Sequence, residues 1–317
     1  MPAPALLAVD WGTTALRGAL LAADGTVLAE HAAPRGLLSV PPGGWGAAFE
    51  AEFGAWLAAH PGLVCLMAGM VGSRQGWAEA DYCGCPASLA DVAAQLLWVQ
   101  PDRVAIVPGL CCEADGLPDV MRGEETQVFG ALQALGLQDS TLVLPGTHSK
   151  WVRVQGGRIT HFSTHMTGEC YALLRHQSIL TRMLPADDAA WVPEAFDAGV
   201  VRAFDAGGLL HHLFSVRALA LFDRAEGPAL ASRLSGLLIG EELRAQALPA
   251  GAPVAVLGSP ALAGRYQRAL AQRGHPVTGV QADAGWQGLL AVARAAGLLA
   301  MPGRAAGEAA PAGTLRP

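Results

Sequence analysis

Two short stretches concentrate residues able to do chemistry. In AVDWGTTALR (residues 8–17), Asp10 precedes Gly12, Thr13 and Thr14, and Arg17 follows seven positions after the carboxylate. In TLVLPGTHSKW (residues 141–151), an apolar run ends in Gly146, Thr147, His148, Ser149 and Lys150. Glycine lets backbone approach a ligand closely. The hydroxyl and N–H groups that follow it suit anionic oxygens. A carboxylate at a strand end can hold Mg²⁺, usually through water. Taken singly, each stretch reads equally well as a strand and a capped polar turn. Taken together, they can grip a polyphosphate from two sides. Neither fits the G-x-x-x-x-G-K-[ST] loop.

A third stretch, VAVLGSPALAGRY (254–266), ends a buried strand in Gly258-Ser259 before a helix opens at Pro260. Such a glycine lets a flat ring lie against backbone, although turns of this kind are common in α/β proteins.

These segments need elements to position them. LLAVDWG (6–12) reads as a buried strand. ALRGALLAADGTVLAE (15–30) reads as two strands joined at Asp24-Gly25. A helix is predicted over 44–62 and a buried strand over 63–72. SLADVAAQLLWV (88–99) shows a Ser cap and a helical stripe, 103–110 reads as a strand, and 123–136 as a helix closed by glycine. The order then restarts. A strand over 141–147 leads to a hairpin around Gly156-Gly157, a helix over 168–180 and a long helical region over 191–247. A strand over 252–260, its helix over 262–274 and a final helix over 286–300 follow. Each half thus opens with strand, polar turn and hairpin, then alternates helix and strand. Two α/β halves imply a cleft between them, where a ligand would sit.

Composition agrees. The 317 residues are long for one domain and comfortable for two; 52% are hydrophobic, enough for large cores. The formal net charge of −6 and the lack of a Lys/Arg-rich run disfavour nucleic acid. Phosphate would have to be held locally. The segment MPAPALLAVD has no basic region and is not expected to be a signal peptide. No membrane span is expected either. Six cysteines in one C-x-C, one C-C and two isolated positions are not a zinc pattern, and reduced thiols are the default, Cys83 and Cys85 included. His211 and His212 read as helix-surface residues.

In this order and spacing, the three segments resemble the actin-like ATPase superfamily of sugar kinases, heat-shock ATPases and actin. AGMVGSRQGWAEADY (68–82), PGLCCEADGLPDVMRGEETQVFGAL (108–132) and LPGTHSKWVRVQGGRITHFSTHMTGECYALLRHQSIL (144–180) are similar to the 2-dehydro-3-deoxygalactonokinase family over about residues 6–300. The long GTHSKW–MTGE–SIL block is the specific part. The resemblance implies an α/β fold of two actin-like ATPase (ribonuclease H-like) domains around a central cleft: 1–122 with the first phosphate loop and the sugar-acid site, and 123–300 with the second loop and the adenosine site. Residues 301–317 are expected to be a disordered tail.

It also implies ATP and Mg²⁺ acting on 2-dehydro-3-deoxy-D-galactonate in galactonate breakdown, in a cytoplasmic enzyme with no nucleic-acid or membrane partner; a homodimer is left open. Asp10 would organise Mg²⁺. Gly12, Thr13, Thr14, Arg17, Gly146, Thr147, His148 and Ser149 would hold phosphates, with Gly258 and Ser259 by the adenosine. The substrate carboxylate calls for a planar bidentate donor: Arg74 is expected there, with Ser73 and Gln75 on hydroxyls and Trp77 as a wall. Related kinases carry a catalytic carboxylate near the helix at 123–136, which makes Asp119 the first choice of base and Glu124 the second. An acidic residue at a helix start can equally be a dipole partner. Arg122 is a further substrate contact to consider, and His165, Thr167, Gly168 and Glu169 would shape the cleft wall. A kinase for another sugar acid, or a non-catalytic ATP-binding sensor of the same superfamily, are the competing readings.

Overall fold

The computed structural model describes residues 2–185, 190–280 and 284–299; the expected tail lies outside them. The first half runs β1 (Pro4–Trp11), β2 (Leu16–Ala22), β3 (Val27–Ala33), α1 (Trp45–Ala59), β4 (Cys65–Ala68), β5 (Cys83–Gly84), α2 (Leu89–Ala93), β6 (Leu97–Gln100), β7 (Val104–Ile106), β8 (Leu110–Ala114), β9 (Leu117–Met121) and α3 (Glu124–Leu135). The second runs β10 (Ser140–Leu144), β11 (Ser149–Gln155), β12 (Arg158–His165), α4 (Thr167–Gln177), α5 (Pro193–Ala203), α6 (Gly208–Leu221), α7 (Gly227–Gln246), β13 (Val254–Leu257), α8 (Pro260–Gln272), β14 (Val277–Val280) and α9 (Ala284–Ala295).

The architectural repeat is visible in the sheets. One has the order β3-β2-β1-β4-β7-β6, the other β12-β11-β10-β13-β14. Each begins as an antiparallel meander and continues in parallel from its first strand, β1 onto β4 and β10 onto β13. The central strands, buried on both faces, are the near-continuous apolar runs of the sequence. Helices α3 and α9 pack between the sheets. They cross at glycines: a Cβ at Gly130 would meet the Ala284 carbonyl at 1.9 Å, and one at Gly288 would meet that of Thr126 at 1.7 Å. One core therefore joins residues of both sheets, Leu6 and Leu66 with Leu142 and Ala255, through Phe129 and Leu289. Helix α9 also bonds to the β2–β3 hairpin, through Gln287 to the Gly25 carbonyl and Trp286 to Glu30.

Some expectations are corrected. The apolar stretch 88–99 is not one helix. Ser88 caps it with a full capping box, but the helix stops at Ala93 and Leu97–Gln100 forms an edge strand against β7. The final helix begins at Ala284 and ends at Ala295, so it does not fill 286–300. The acidic stretch before α3 is a hairpin, β8–β9, turning at Asp115-Gly116, both at positive φ. Strand β14 had no clear apolar signal, because it is an edge strand with an exposed centre. His212 is buried, contrary to expectation, with Nε2 3.1 Å from the Ala206 carbonyl; His211 is exposed. All six cysteines are free thiols. Burial, reinforced by the nearby Cys112, Cys111 and Cys83, pushes the Cys85 thiol up to about 12. Among the described residues no helix is long and apolar enough to cross a membrane.

Candidate active site

The C-terminal ends of the two sheets face one another across a cavity of about 360 Å³. Its lining includes Asp10 and Arg17 from the β1–β2 hairpin, Gly258 and Ser259 after β13, Gly123 capping α3 with Thr126 and Gln127 in it, and Gly285 and Trp286 of α9. Four of the sequence-predicted residues thus meet in one place. The α3 and α9 residues carried no sequence signal, because only the close helix crossing brings them here.

Asp10 and Arg17 are register partners across β1 and β2, and the guanidinium ion-pairs with Oδ2. The turn between them closes with the Gly12 N–H donating to the Ala15 carbonyl at 2.9 Å. Thr13 and Thr14 are exposed at its tip. Gly36 backs this turn: a Cβ there would sit 2.2 Å from the Thr13 carbonyl oxygen. Gly69, at φ +95°, leaves room beside Asp10; a Cβ would lie 3.2 Å from Oδ1 and 2.9 Å from the Trp11 carbonyl oxygen.

The second hairpin is built differently. Leu144 pairs with Lys150 across β10 and β11. Thr147 and His148 are exposed, and His148 Nε2 lies 2.6 Å from Glu169 Oε2. The turn rests on the start of α4: the Glu169 N–H donates to the Thr147 carbonyl at 3.0 Å, and a Cβ on Gly168 would be 2.4 Å from the Gly146 carbonyl oxygen. Pro145 packs against Gly258, joining this turn to the one after β13. The Ser149 hydroxyl, expected on phosphate, is fully buried and bonded to the Tyr266 hydroxyl at 2.8 Å.

Carboxylates gather at the head of α3. Glu124 is partly exposed; Oε2 accepts the Arg122 N–H at 3.0 Å, and Oε1 lies 3.7 Å from the nearly buried Lys150 Nζ. Lys150 thus stands beside the carboxylates at the head of α3, a contact its place in the sequence did not reveal. Glu125 is fully buried, and its Oε1 has no partner. Burial, with the neighbouring Glu124 charge, pushes its carboxyl up to about 8. Asp119 lies on β9 outside the cavity lining. Its oxygens accept the Thr164 N–H at 2.7 Å, the Thr164 hydroxyl at 2.6 Å and the Val120 N–H at 2.7 Å. It ties β9 to β12.

The loop at 73–77 follows Gly72, whose Cβ position would lie 2.9 Å from Arg122 Nη1. Ser73 donates to the Met70 carbonyl and Gln75 is exposed. The Arg74 side chain is 86% exposed, held only by Glu79 at 3.3 Å. The half-buried Trp77 ring packs on Phe49, at 5.6 Å between centroids, at the edge of a separate core formed by α1 and the other face of the first sheet.

Duplicated sheets, two polar hairpins and a glycine turn around one cleft define the actin-like ATPase fold. The profile of the 2-keto-3-deoxy-galactonokinase family matches residues 10–292, and the chain belongs to that family. It is 38% identical to a Rhizobium meliloti protein named as a 2-dehydro-3-deoxygalactonokinase, over 91% of this chain and 96% of that one. It is 35% identical to the 2-dehydro-3-deoxygalactonokinase of Escherichia coli, over 91% of this chain and 97% of that one. The crystal structure of a Sinorhizobium meliloti protein with that name superposes with a TM-score of 0.84 at 37% identity, covering 92% of this chain and 98% of the other.

Proposed function

We propose that this chain transfers the γ-phosphoryl group of ATP to the 6-hydroxyl of 2-dehydro-3-deoxy-D-galactonate, giving ADP and the 6-phosphate. Membership of the family supports the reaction class and the substrate. The observation that carries the mechanism is the strand-end carboxylate Asp10 and the glycine turn Gly258-Ser259 lining one cavity, with the second hairpin joined to that turn where Pro145 packs against Gly258.

ATP fits with its adenosine against Gly258, Ser259 and Trp286 and its phosphates between Gly12–Thr14 and Gly146–His148. Among the described residues no three His, Cys, Asp or Glu side chains are arranged to hold a metal ion. Asp10, with space kept at Oδ1 by Gly69, suits Mg²⁺, a hard cation that takes one carboxylate and fills its shell with water and phosphate oxygens. When bound, it would neutralise charge on the phosphates.

The acceptor hydroxyl attacks the γ-phosphorus, the bond to the β-bridging oxygen breaks, and the hydroxyl proton goes to a carboxylate. Glu124 is favoured as this base. It is partly exposed at the head of α3 and keeps a lone pair free, whereas Asp119 spends both oxygens on β12 and the backbone. Lys150, 3.7 Å from Glu124 Oε1, is the cation beside this carboxylate. Arg74, 86% exposed and paired only with Glu79 among the described residues, is a cation for the substrate carboxylate, with Ser73 and Gln75 beside it. Trp77, packed on Phe49, serves better as the support of that loop than as a wall. A negatively charged protein without a basic run, acting on a small metabolite, is best placed in the cytoplasm.

The test is ADP release with ATP, Mg²⁺ and a panel of sugar acids. Turnover confined to 2-dehydro-3-deoxygalactonate, with its KM raised by Arg74→Ala, supports the assignment. Equal turnover of several acids removes the named substrate. ATP binding with no acceptor-dependent ADP release supports a sensor.

A further inference from the structure

Behind the second hairpin lies a buried polar cluster that the chemistry above does not use. Glu242, near the end of α7, is 3% exposed. Its Oε1 accepts the Trp151 indole N–H at 2.7 Å. Its Oε2 accepts the Tyr266 hydroxyl at 2.7 Å and, through a short bond, the Thr167 hydroxyl. Trp151, Tyr266 and Ser149 are as buried as Glu242. Four elements far apart in sequence thus converge on one carboxyl group: β11, α4, α7 and α8.

The donors and acceptors fix the direction of each bond. The Tyr266 hydroxyl donates its hydrogen bond to Glu242 Oε2. The Tyr266 oxygen is then left to accept from the Ser149 hydroxyl. Ser149 is the last residue of the phosphate turn, and its side chain is pinned inward. Thr167 opens α4, the helix that carries Gly168 against the Gly146 carbonyl and the Glu169 N–H onto that of Thr147. Tyr266 lies two turns into α8, whose N-cap is Ser259 of the adenosine turn. Each bond runs from Glu242 to a segment that carries or braces the second hairpin or the Gly258-Ser259 turn, and none reaches the sugar-acid loop at 73–77. Burying a carboxylate costs more than filling the same volume with hydrocarbon, so a stability role alone is a poor reason to keep one here.

We propose that Glu242, acting through Tyr266 and Thr167, is the positioning residue of the second phosphate hairpin and sets ATP affinity without touching ATP. The proposal rests on the nucleotide assignment above, though not on the identity of the acceptor. A carboxylate that accepts three bonds holds three donors in one arrangement. A carboxamide accepts on one side only: with its NH₂ toward Trp151 two N–H donors face each other, and with its NH₂ toward Tyr266 and Thr167 both hydroxyls must turn to accept, which redirects the Tyr266–Ser149 bond.

The experiment compares wild type, Glu242→Gln and Tyr266→Phe in three readouts: ATP affinity by calorimetry, KM for ATP and for the sugar acid, and melting temperature without nucleotide. Glu242→Gln should weaken ATP by between about ten- and a hundredfold, the scale of a small misplacement of contact groups. KM for the sugar acid should stay within about twofold. Tyr266→Phe, which keeps the Trp151 and Thr167 bonds, should show the same selective effect at smaller size, so a Gln variant that fails to fold still leaves a test. Lower melting temperature with unchanged ATP affinity would reduce Glu242 to a core tie and overturn the proposal. An equal rise in both KM values would do the same. If wild type binds ATP but shows no acceptor-dependent turnover, the kinase reading fails while the calorimetry still decides on Glu242. If wild type binds no ATP, both fall.

Discussion

The two hairpins hold the same place in their sheets and are stabilised in opposite ways. The first has its charges at the surface of the cleft, Asp10 against Arg17, and a tip backed by Gly36. The second exposes Thr147 and His148 at its tip and keeps Ser149, Tyr266 and Glu242 buried behind it, with the half-buried Thr167 bonded to Glu242. Where the first has Asp10 paired with Arg17, the second has Leu144 paired with Lys150. On the proposed reading the duplicated fold divides phosphate binding between its halves. The first hairpin brings the carboxylate for a cation, and the second brings rigidity and a lysine.

Perturbing each side separately sharpens that contrast. The largest effect is expected from Glu124→Gln at the head of α3, beside Lys150. Loss of a general base should lower kcat by about a hundred- to ten-thousandfold with little change in KM for ATP, measured by steady-state kinetics. Asp119→Asn should leave kcat within about threefold and lower the melting temperature, because its oxygens hold β12. The reverse ranking would return the base role to Asp119. Next is Asp10→Asn, with an expected loss of about a hundredfold or more in kcat and a flattened Mg²⁺ dependence.

Gly168→Ala should act on the second hairpin alone. A methyl group there meets the Gly146 carbonyl oxygen, so KM for ATP should rise by about tenfold, the cost of a modest displacement, while the Mg²⁺ dependence keeps its shape. The smallest effect concerns stability. Glu125 has its carboxyl pushed up to about 8 by burial and the Glu124 charge. Between the ordinary carboxylate range and about 8, the folded state binds a proton that the unfolded state has released. Stability from this group is thus present at low pH and lost as pH rises through that window. Glu125→Gln should remove the loss, so melting curves from pH 5 to pH 9 should fall less steeply for the variant. Parallel curves would refute the shift.

The parts legible in sequence were those set by local rules. Asp24-Gly25 and Gly156-Gly157 turn hairpins, and Gly136 closes α3 in the left-handed conformation. The strand-end residues Asp10 and Gly258 line a shared cavity because the C-terminal ends of β1 and β13, one in each sheet, both face it. What stayed hidden depends on long-range packing. Leu97–Gln100 becomes a strand only because β7 offers an edge. Ser149 looked like a phosphate ligand because its partner, Tyr266, is 117 residues away. Asp119 looked like a base because nothing local reveals Thr164. Trp286 and Thr126 line the cavity only through the glycine crossing of α3 and α9.

The central claim is that both hairpins hold one nucleotide in different ways. Its most direct test is calorimetric titration of a non-hydrolysable ATP analogue, with and without Mg²⁺, into wild type, Asp10→Asn and Gly168→Ala. Wild type should bind more tightly with Mg²⁺; Asp10→Asn should lose that gain and keep the metal-free affinity; Gly168→Ala should weaken binding equally in both conditions. A Mg²⁺ gain that survives Asp10→Asn, or affinity untouched by Gly168→Ala, would show that the two hairpins do not share the nucleotide.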